Sequence, residues 1–179
     1  MSDEILELIA EKKYTRLRTL LSEMNPADIA EIFDEADKKD IPIIFRILPK
    51  ELAAEVFTYL ESDRQQLLIE ALSDKELRDV MDELFMDDTV DIIEEMPANV
   101  AKRILKQTDA STRKMINKLL AYPEDSAGSI MTTEYIDLKK DMTVDEAFDR
   151  IRLLGVETES IFTCYVIDKK RSLSGVVTV

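Results

Sequence analysis

Histidine is absent from the sequence, and with it go Ser/His/Asp and Cys/His catalysis, the HExxH zinc site and the commonest proton shuttle. Cysteine occurs once, at Cys164. That excludes an internal disulfide and any thiolate metal cluster within one chain, as expected for a reducing cytoplasm. Cys164 itself reads as a small buried strand residue. Three glycines and five prolines in 179 residues disfavour a turn-rich β fold. The glycines, Gly128, Gly155 and Gly175, are too scattered to form a phosphate-cradling loop. No uninterrupted apolar stretch approaches the ~20 residues of a membrane span. The start, Met1-Ser-Asp-Glu-Ile-Leu-Glu, lacks the basic region and apolar centre of a signal peptide. The expectation is a soluble piece of chain that is not an enzyme.

The residues present favour helices: Glu, Lys, Leu, Ala and Arg are plentiful, and a hydrophobic content of 45% supports a real core. Asp and Glu outnumber Lys and Arg by 38 to 24, a formal charge of −14. Nucleic acid and anionic membrane surfaces are therefore repelled on average, and cations or basic partners are the more plausible ligands. The short basic runs Lys12-Lys13 and Lys169-Lys170-Arg171 read as solvated turns.

A repeat of twelve residues runs from Ile32 through Ile44, Val56, Leu68, Val80, Ile92, Ile104 and Ile116. The next position is also apolar nearly throughout (Phe33, Phe45, Phe57, Ile69, Met81, Ile93, Leu105), and Leu48, Leu60, Leu72, Leu84 and Met96 follow three residues on. Each unit thus carries a short apolar stripe at helical spacing. Pro26, Pro49 and Pro97 fall where new helices begin, and Ser62-Asp63, Ser73-Asp74 and Asp87-Asp88 offer capping side chains. Helices of about eight or nine residues, roughly 13 Å long, are unstable alone. Consecutive helices are therefore expected to pack in antiparallel pairs and stack into a superhelix. A longer leading helix is expected over 3–24, broken at Lys12-Lys13-Tyr14 and capping one end of the stack, with Ile5, Leu8, Ile9, Leu17, Leu20 and Leu21 inward.

Near Tyr122 the pattern changes to Tyr122-Pro-Glu-Asp-Ser-Ala-Gly-Ser-Ile-Met-Thr, which places a domain junction at 123–130 after a helical domain over 1–122. Beyond it, Tyr135-Ile-Asp-Leu reads as a strand. A helix opened by a Thr143/Glu146 capping box follows. Ile161–Ile167 reads as a buried strand, Asp168–Ser172 as a hairpin turn and Leu173–Val179 as its partner. The order strand, helix, strand, strand, with Ile130-Met131-Thr132 at entry and Leu173-Ser-Gly-Val-Val-Thr-Val at the end, resembles a truncated CBS domain over 131–179.

Taken together, the acidic helical repeat, the junction motif and the partial α/β CBS unit resemble the cytosolic region of the MgtE family of magnesium channels, from about Asn25 to Val179. The resemblance implies a regulatory Mg²⁺, weakly bound at domain interfaces, that holds a pore closed when intracellular Mg²⁺ is plentiful. It implies a homodimer of the full-length protein through CBS domains, coupled to the protein's own transmembrane domain at the cytoplasmic face of the cell membrane. The family's interface carboxylates match Ala53-Ala54-Glu55-Val56 and Asp87-Asp88-Thr89-Val90-Asp91. This makes Glu55, Asp87, Asp91 and the Gly128 carbonyl the candidate ligands, with their facing acidic residues beyond Val179.

Physical chemistry allows that reading and a plainer one. Asp87 and Asp91 lie four apart on one helical face and repel each other by a few tenths of a kcal/mol, a sign that a divalent ion would reverse. Mg²⁺ takes oxygen ligands in an octahedron and keeps several waters, so one or two carboxylates per ion suffice. Alternatively, Asp87 and Asp88 favour a helix dipole while Asp91 and Glu55 are solvated. A metal-independent scaffold that binds a protein partner on its concave face, as stacks of the FliG type do, is the alternative function.

Overall fold

The computed structural model describes residues 2–155 and 158–179 and divides into two compact units. One unit comprises the chain up to Leu84 together with Asp88–Tyr122; the other comprises Phe85–Asp87 and Pro123–Val179.

The first unit is built from ten helices: α1 (Ser2–Ala10), α2 (Tyr14–Leu21), α3 (Pro26–Glu35), α4 (Ile41–Ile47), α5 (Lys50–Tyr59), α6 (Ser62–Ala71), α7 (Asp74–Met81), α8 (Met86–Glu95), α9 (Ala98–Gln107) and α10 (Ala110–Leu119). The first two residues of α8, Met86 and Asp87, belong by packing to the second unit. The leading segment breaks where expected: Lys12 takes a positive φ of 57° between α1 and α2, a conformation that costs a side chain-bearing residue some strain.

Every position of the twelve-residue series, from Ile32 to Ile116, is buried. Its aromatic neighbours form a ladder, with Phe33 and Phe45 edge to face at 6.4 Å and Phe45 and Phe57 at 6.0 Å. Within the repeat, packing is heaviest between alternate helices: α3 on α5, α5 on α7 and α7 on α9 along one row, α2 on α4 and α4 on α6 along the other, while α1 packs on the adjacent α2 and α6 also meets α9. Two repeats, not one, therefore separate a helix from its main packing partner. Polar bonds also join the layers. Arg46 Nε on α4 donates to Glu76 Oε1 on α7 at 2.7 Å, and Lys50 Nζ on α5 to Glu83 Oε1 at 2.6 Å. Arg103 Nη2 on α9 reaches the Leu72 carbonyl at 2.7 Å and Asp74 at 2.9 Å.

The helix starts follow local chemistry. Asn25 caps α3 through Ala27 N with Pro26 in the first turn, and Ser73 closes a capping box with Glu76 on α7. Asp109, which the pattern did not single out, caps α10 by accepting from Ser111 and Thr112. Two expected caps are displaced. Ser62 is the first residue of α6, with Glu61 in the cap position, and its hydroxyl donates to Glu95 of α8 instead. Asp87 and Asp88 sit inside the first turn of α8, where their charge complements the helix dipole without occupying the cap.

In the second unit, β1 (Ile136–Lys139) pairs parallel with β2 (Thr163–Ile167) across the helix α11 (Val144–Leu154), and β2 pairs antiparallel with β3 (Leu173–Thr178). Thr143 and Glu146 form the expected capping box. Ile136, Leu138, Ile151 and Cys164 make its small core. The turn into β3 is held by Asp168, whose Oδ1 accepts from Lys170 N at 2.8 Å and Ser172 N at 2.9 Å, with Arg171 at a φ of 64°.

Candidate functional site

Glu55 stands on α5 with Ala53, Ala54, Val56 and Phe57 buried around it, and this burial leaves Glu55 pointing to solvent. The helical period explains the placement: four inward neighbours fix the one outward residue among them. Asp87 and Asp91 occupy successive turns of α8. Asp91 is exposed, whereas Asp87 is half-buried and its Oδ1 is a buried acceptor with no hydrogen-bond partner. A carboxylate oxygen withdrawn from water without a donor is unfavourable, and a cation is one means of satisfying it. Gly128 lies half-buried in the turn-rich junction, where Ser126 O accepts from both the amide and the hydroxyl of Ser129. Among the described residues no three Asp, Glu or Cys side chains group closely enough to hold a metal directly.

Glu134 escaped the sequence reading. Its Oε1 accepts from the Met86 amide, the first residue of α8, at 3.2 Å. Its Oε2 accepts from the Thr132 and Thr133 hydroxyls at 3.3 and 3.0 Å. The amide of a helix's first residue is an orphan donor, and here a carboxylate 48 residues away supplies its acceptor. No local signal announces a cap that arrives from so far along the chain. Asp137 on β1 is a second charged residue that the pattern left unremarked. Burial alone would raise its pKa, but hydrogen bonds from Lys139 and Arg150 outweigh that and hold it below the usual carboxylate value. Burial pushes the Cys164 thiol up, which makes it unreactive.

Each of the candidate ligands, taken singly, offers oxygen: a carboxylate or a backbone carbonyl. Oxygen is the donor that hard divalent cations of the Mg²⁺ or Ca²⁺ kind take. No described helix is long and apolar enough to cross a membrane.

Comparison with known proteins places residues 24–125 on the model of the MgtE intracellular N domain. Over 176 residues, 96% of its length, the chain is 33% identical to the magnesium transporter MgtE of Thermus thermophilus. It is 28% identical over 174 residues to that of Bacillus subtilis. It spans 39% of the length of each of these relatives. Among solved structures, the cytosolic domain of the Mg²⁺ channel MgtE in complex with ATP superposes with a TM-score of 0.90 at 31% identity, covering all of this chain and 73% of the other. The soluble part of a magnesium transporter superposes at 0.87 over 99% of this chain and 70% of the other. At 22% identity that likeness concerns the fold alone.

Proposed function

The chain belongs to the MgtE family, and from that premise we propose that it is the cytosolic regulatory part of a magnesium transporter, sensing intracellular Mg²⁺ through interface carboxylates and gating the pore. The observation that carries this reading is the buried, unsatisfied Oδ1 of Asp87 in the first turn of α8. In an acidic chain of net charge −14, a withdrawn carboxylate without a donor is the arrangement that a cation would relieve.

Glu55, Asp87, Asp91 and the Gly128 carbonyl are the groups that would hold the ion. Bound Mg²⁺ would supply a local double positive charge that turns mutual repulsion among these carboxylates into attraction. The chain's own part is to present the carboxylates on short, rigid helices. Asp87 and Asp91 are held one turn apart by α8, and Glu55 is held outward by its four buried neighbours. In the full-length protein the second unit completes a CBS domain, two such chains associate through their CBS domains, and the transmembrane domain follows. Ion binding then shifts a two-state arrangement of domains only as far as its differential affinity for the two states allows. The role is regulatory, not catalytic. The ATP present in the solved cytosolic domain that this chain resembles supports a regulatory reading of the region.

Thermal unfolding with Mg²⁺ titrated to about 20 mM, against Na⁺ at matched ionic strength, tests the proposal. A ligand at ten times its Kd stabilises by ~1.4 kcal/mol. The expected result is a Mg²⁺-specific rise in midpoint that Asp87→Ala and Glu55→Ala each reduce. An equal response to both salts would mean charge screening only, and would favour the metal-independent scaffold.

A further inference from the structure

Met86 opens α8, and its amide is one of the donors that a helix leaves without a partner of its own. Glu134 supplies the acceptor from 48 residues away, through Oε1 at 3.2 Å. Its other oxygen, Oε2, accepts from the Thr133 hydroxyl at 3.0 Å and the Thr132 hydroxyl at 3.3 Å. Thr132 Oγ1 in turn accepts from the Glu134 amide at 3.2 Å, and the Glu134 carbonyl accepts from the Glu159 amide at 3.4 Å. Backbone and side chain of this half-buried residue are thus both held, and both carboxylate oxygens are engaged. A carboxylate so committed is suited to orienting another group.

What it orients is the turn that carries Asp87. Met86 and Asp87 are consecutive, and both pack with the second unit, as Glu134 does. Asp87 Oδ1 is buried with no hydrogen-bond partner. An aspartate at the start of a helix can bond the orphan amides there. Here the Met86 amide, its neighbour in the chain, is already taken by Glu134. The bond therefore fixes where α8 starts and also removes a donor that would compete for the Asp87 carboxylate.

We propose that Glu134 is a positioning residue for the Mg²⁺ response: by accepting from the Met86 amide it holds the first turn of α8 so that the Asp87 carboxylate stays available to the ion. Glu134 itself does not touch the ion. This rests on the sensing function proposed above, in which Asp87 is a ligand. In Glu134→Ala the Met86 amide loses its acceptor, and the Asp87 carboxylate, next to it in the chain, is drawn to it. Groups that orient a metal's ligands commonly govern its affinity by about tenfold or more.

The test titrates Mg²⁺ into the 179-residue chain, with Na⁺ at matched ionic strength as control, and reads the Kd from the amide NMR shifts of Asp87–Asp91. Urea unfolding in Mg²⁺-free buffer gives the stability of each variant. Glu134→Ala should weaken Mg²⁺ binding about tenfold. Glu134→Gln, which keeps an acceptor for the amide, should restore most of that loss. Thr143→Ala removes the cap of α11 in the same unit, and it should lower stability while leaving the Kd unchanged; a merely structural Glu134 would behave the same way. Should Glu134→Ala fail to fold, Thr133→Val loosens the same carboxylate and should weaken binding about threefold. Unchanged affinity in folded Glu134→Ala or, failing that variant, in Thr133→Val would overturn the proposal. So would a Glu134→Gln chain as weak as Glu134→Ala, because charge and not position would then be at work. If the parent chain shows no Mg²⁺-specific shifts, the sensing function falls and takes this proposal with it; if the parent binds and the variants bind equally well, this proposal alone falls.

Discussion

Glu76 joins two layers of the helical stack, and its titration should be visible in the stability of the chain. Its Oε1 accepts from Arg46 Nε at 2.7 Å, and its Oε2 accepts from the Ser73 amide at 2.7 Å. The Arg46 hydrogen bond, then those from Ser73, lower its pKa from 4.5 to about 2. At 1.36 kcal/mol per pH unit that drop sets a ceiling of about 3 kcal/mol. The side chain is 36% exposed, and solvent screening of such a pair leaves about 1 kcal/mol. Because the folded carboxyl titrates below the unfolded one, this stabilisation is fully present above pH 4.5 and is lost as the pH falls towards 2. Glu76→Gln preserves shape and removes the charge. Urea unfolding of parent and variant should differ by about 1 kcal/mol at pH 7, with the difference shrinking towards zero near pH 2.5. Asp109, Asp137 and Glu146 also titrate low, but they are common to both proteins and cancel. A difference that stays constant from pH 7 to pH 2.5 would refute an ionic role for Glu76 and leave only its shape.

Phe45 is the middle rung of the aromatic ladder, so Phe45→Ala should cost about 3–5 kcal/mol in chemical denaturation. Phe33 and Phe57 should each show coupling to Phe45 of about 0.5–1.5 kcal/mol in double-mutant cycles and little coupling to each other. A Cβ on Gly155 would lie 2.8 Å from the Ile151 carbonyl oxygen and 2.9 Å from Ile161 Cγ2. Gly155→Ala should therefore destabilise the second unit by about 1–3 kcal/mol, read as faster hydrogen exchange in β1 and β2 with the α3–α9 amides unchanged. Cys164 is wholly buried, so its reaction with a thiol reagent should be slow in buffer and fast in denaturant. A native rate equal to that of a free thiol would contradict its place in the core.

The sequence by itself determined which residues face inward and where the chain turns. The series from Ile32 to Ile116 is core at every step, because a helix too short to stand alone must bury one stripe, and the stripe's period is written in the chain. Ser73 and Thr143 were legible as caps because a cap is a contact across two or three residues. The order of strands and helix after the junction was legible for the same reason: alternation and turn chemistry are local. Tertiary structure alone decided the pairings that span distance. A twelve-residue period does not say whether a helix packs chiefly on the next helix or on the one after. The choice of alternate helices follows from how successive layers fit. Other contacts between distant residues bring Glu76 to Arg46, make Ser62 a partner of Glu95 rather than a cap, and let Glu134 reach the first amide of α8. Each of these joins residues 30 or more apart in the chain, to which local propensity contributes nothing. The candidate ligands Glu55, Asp87, Asp91 and Gly128 came from likeness to a family. What the tertiary structure added is that Asp87 holds a buried side-chain oxygen with nothing to accept from.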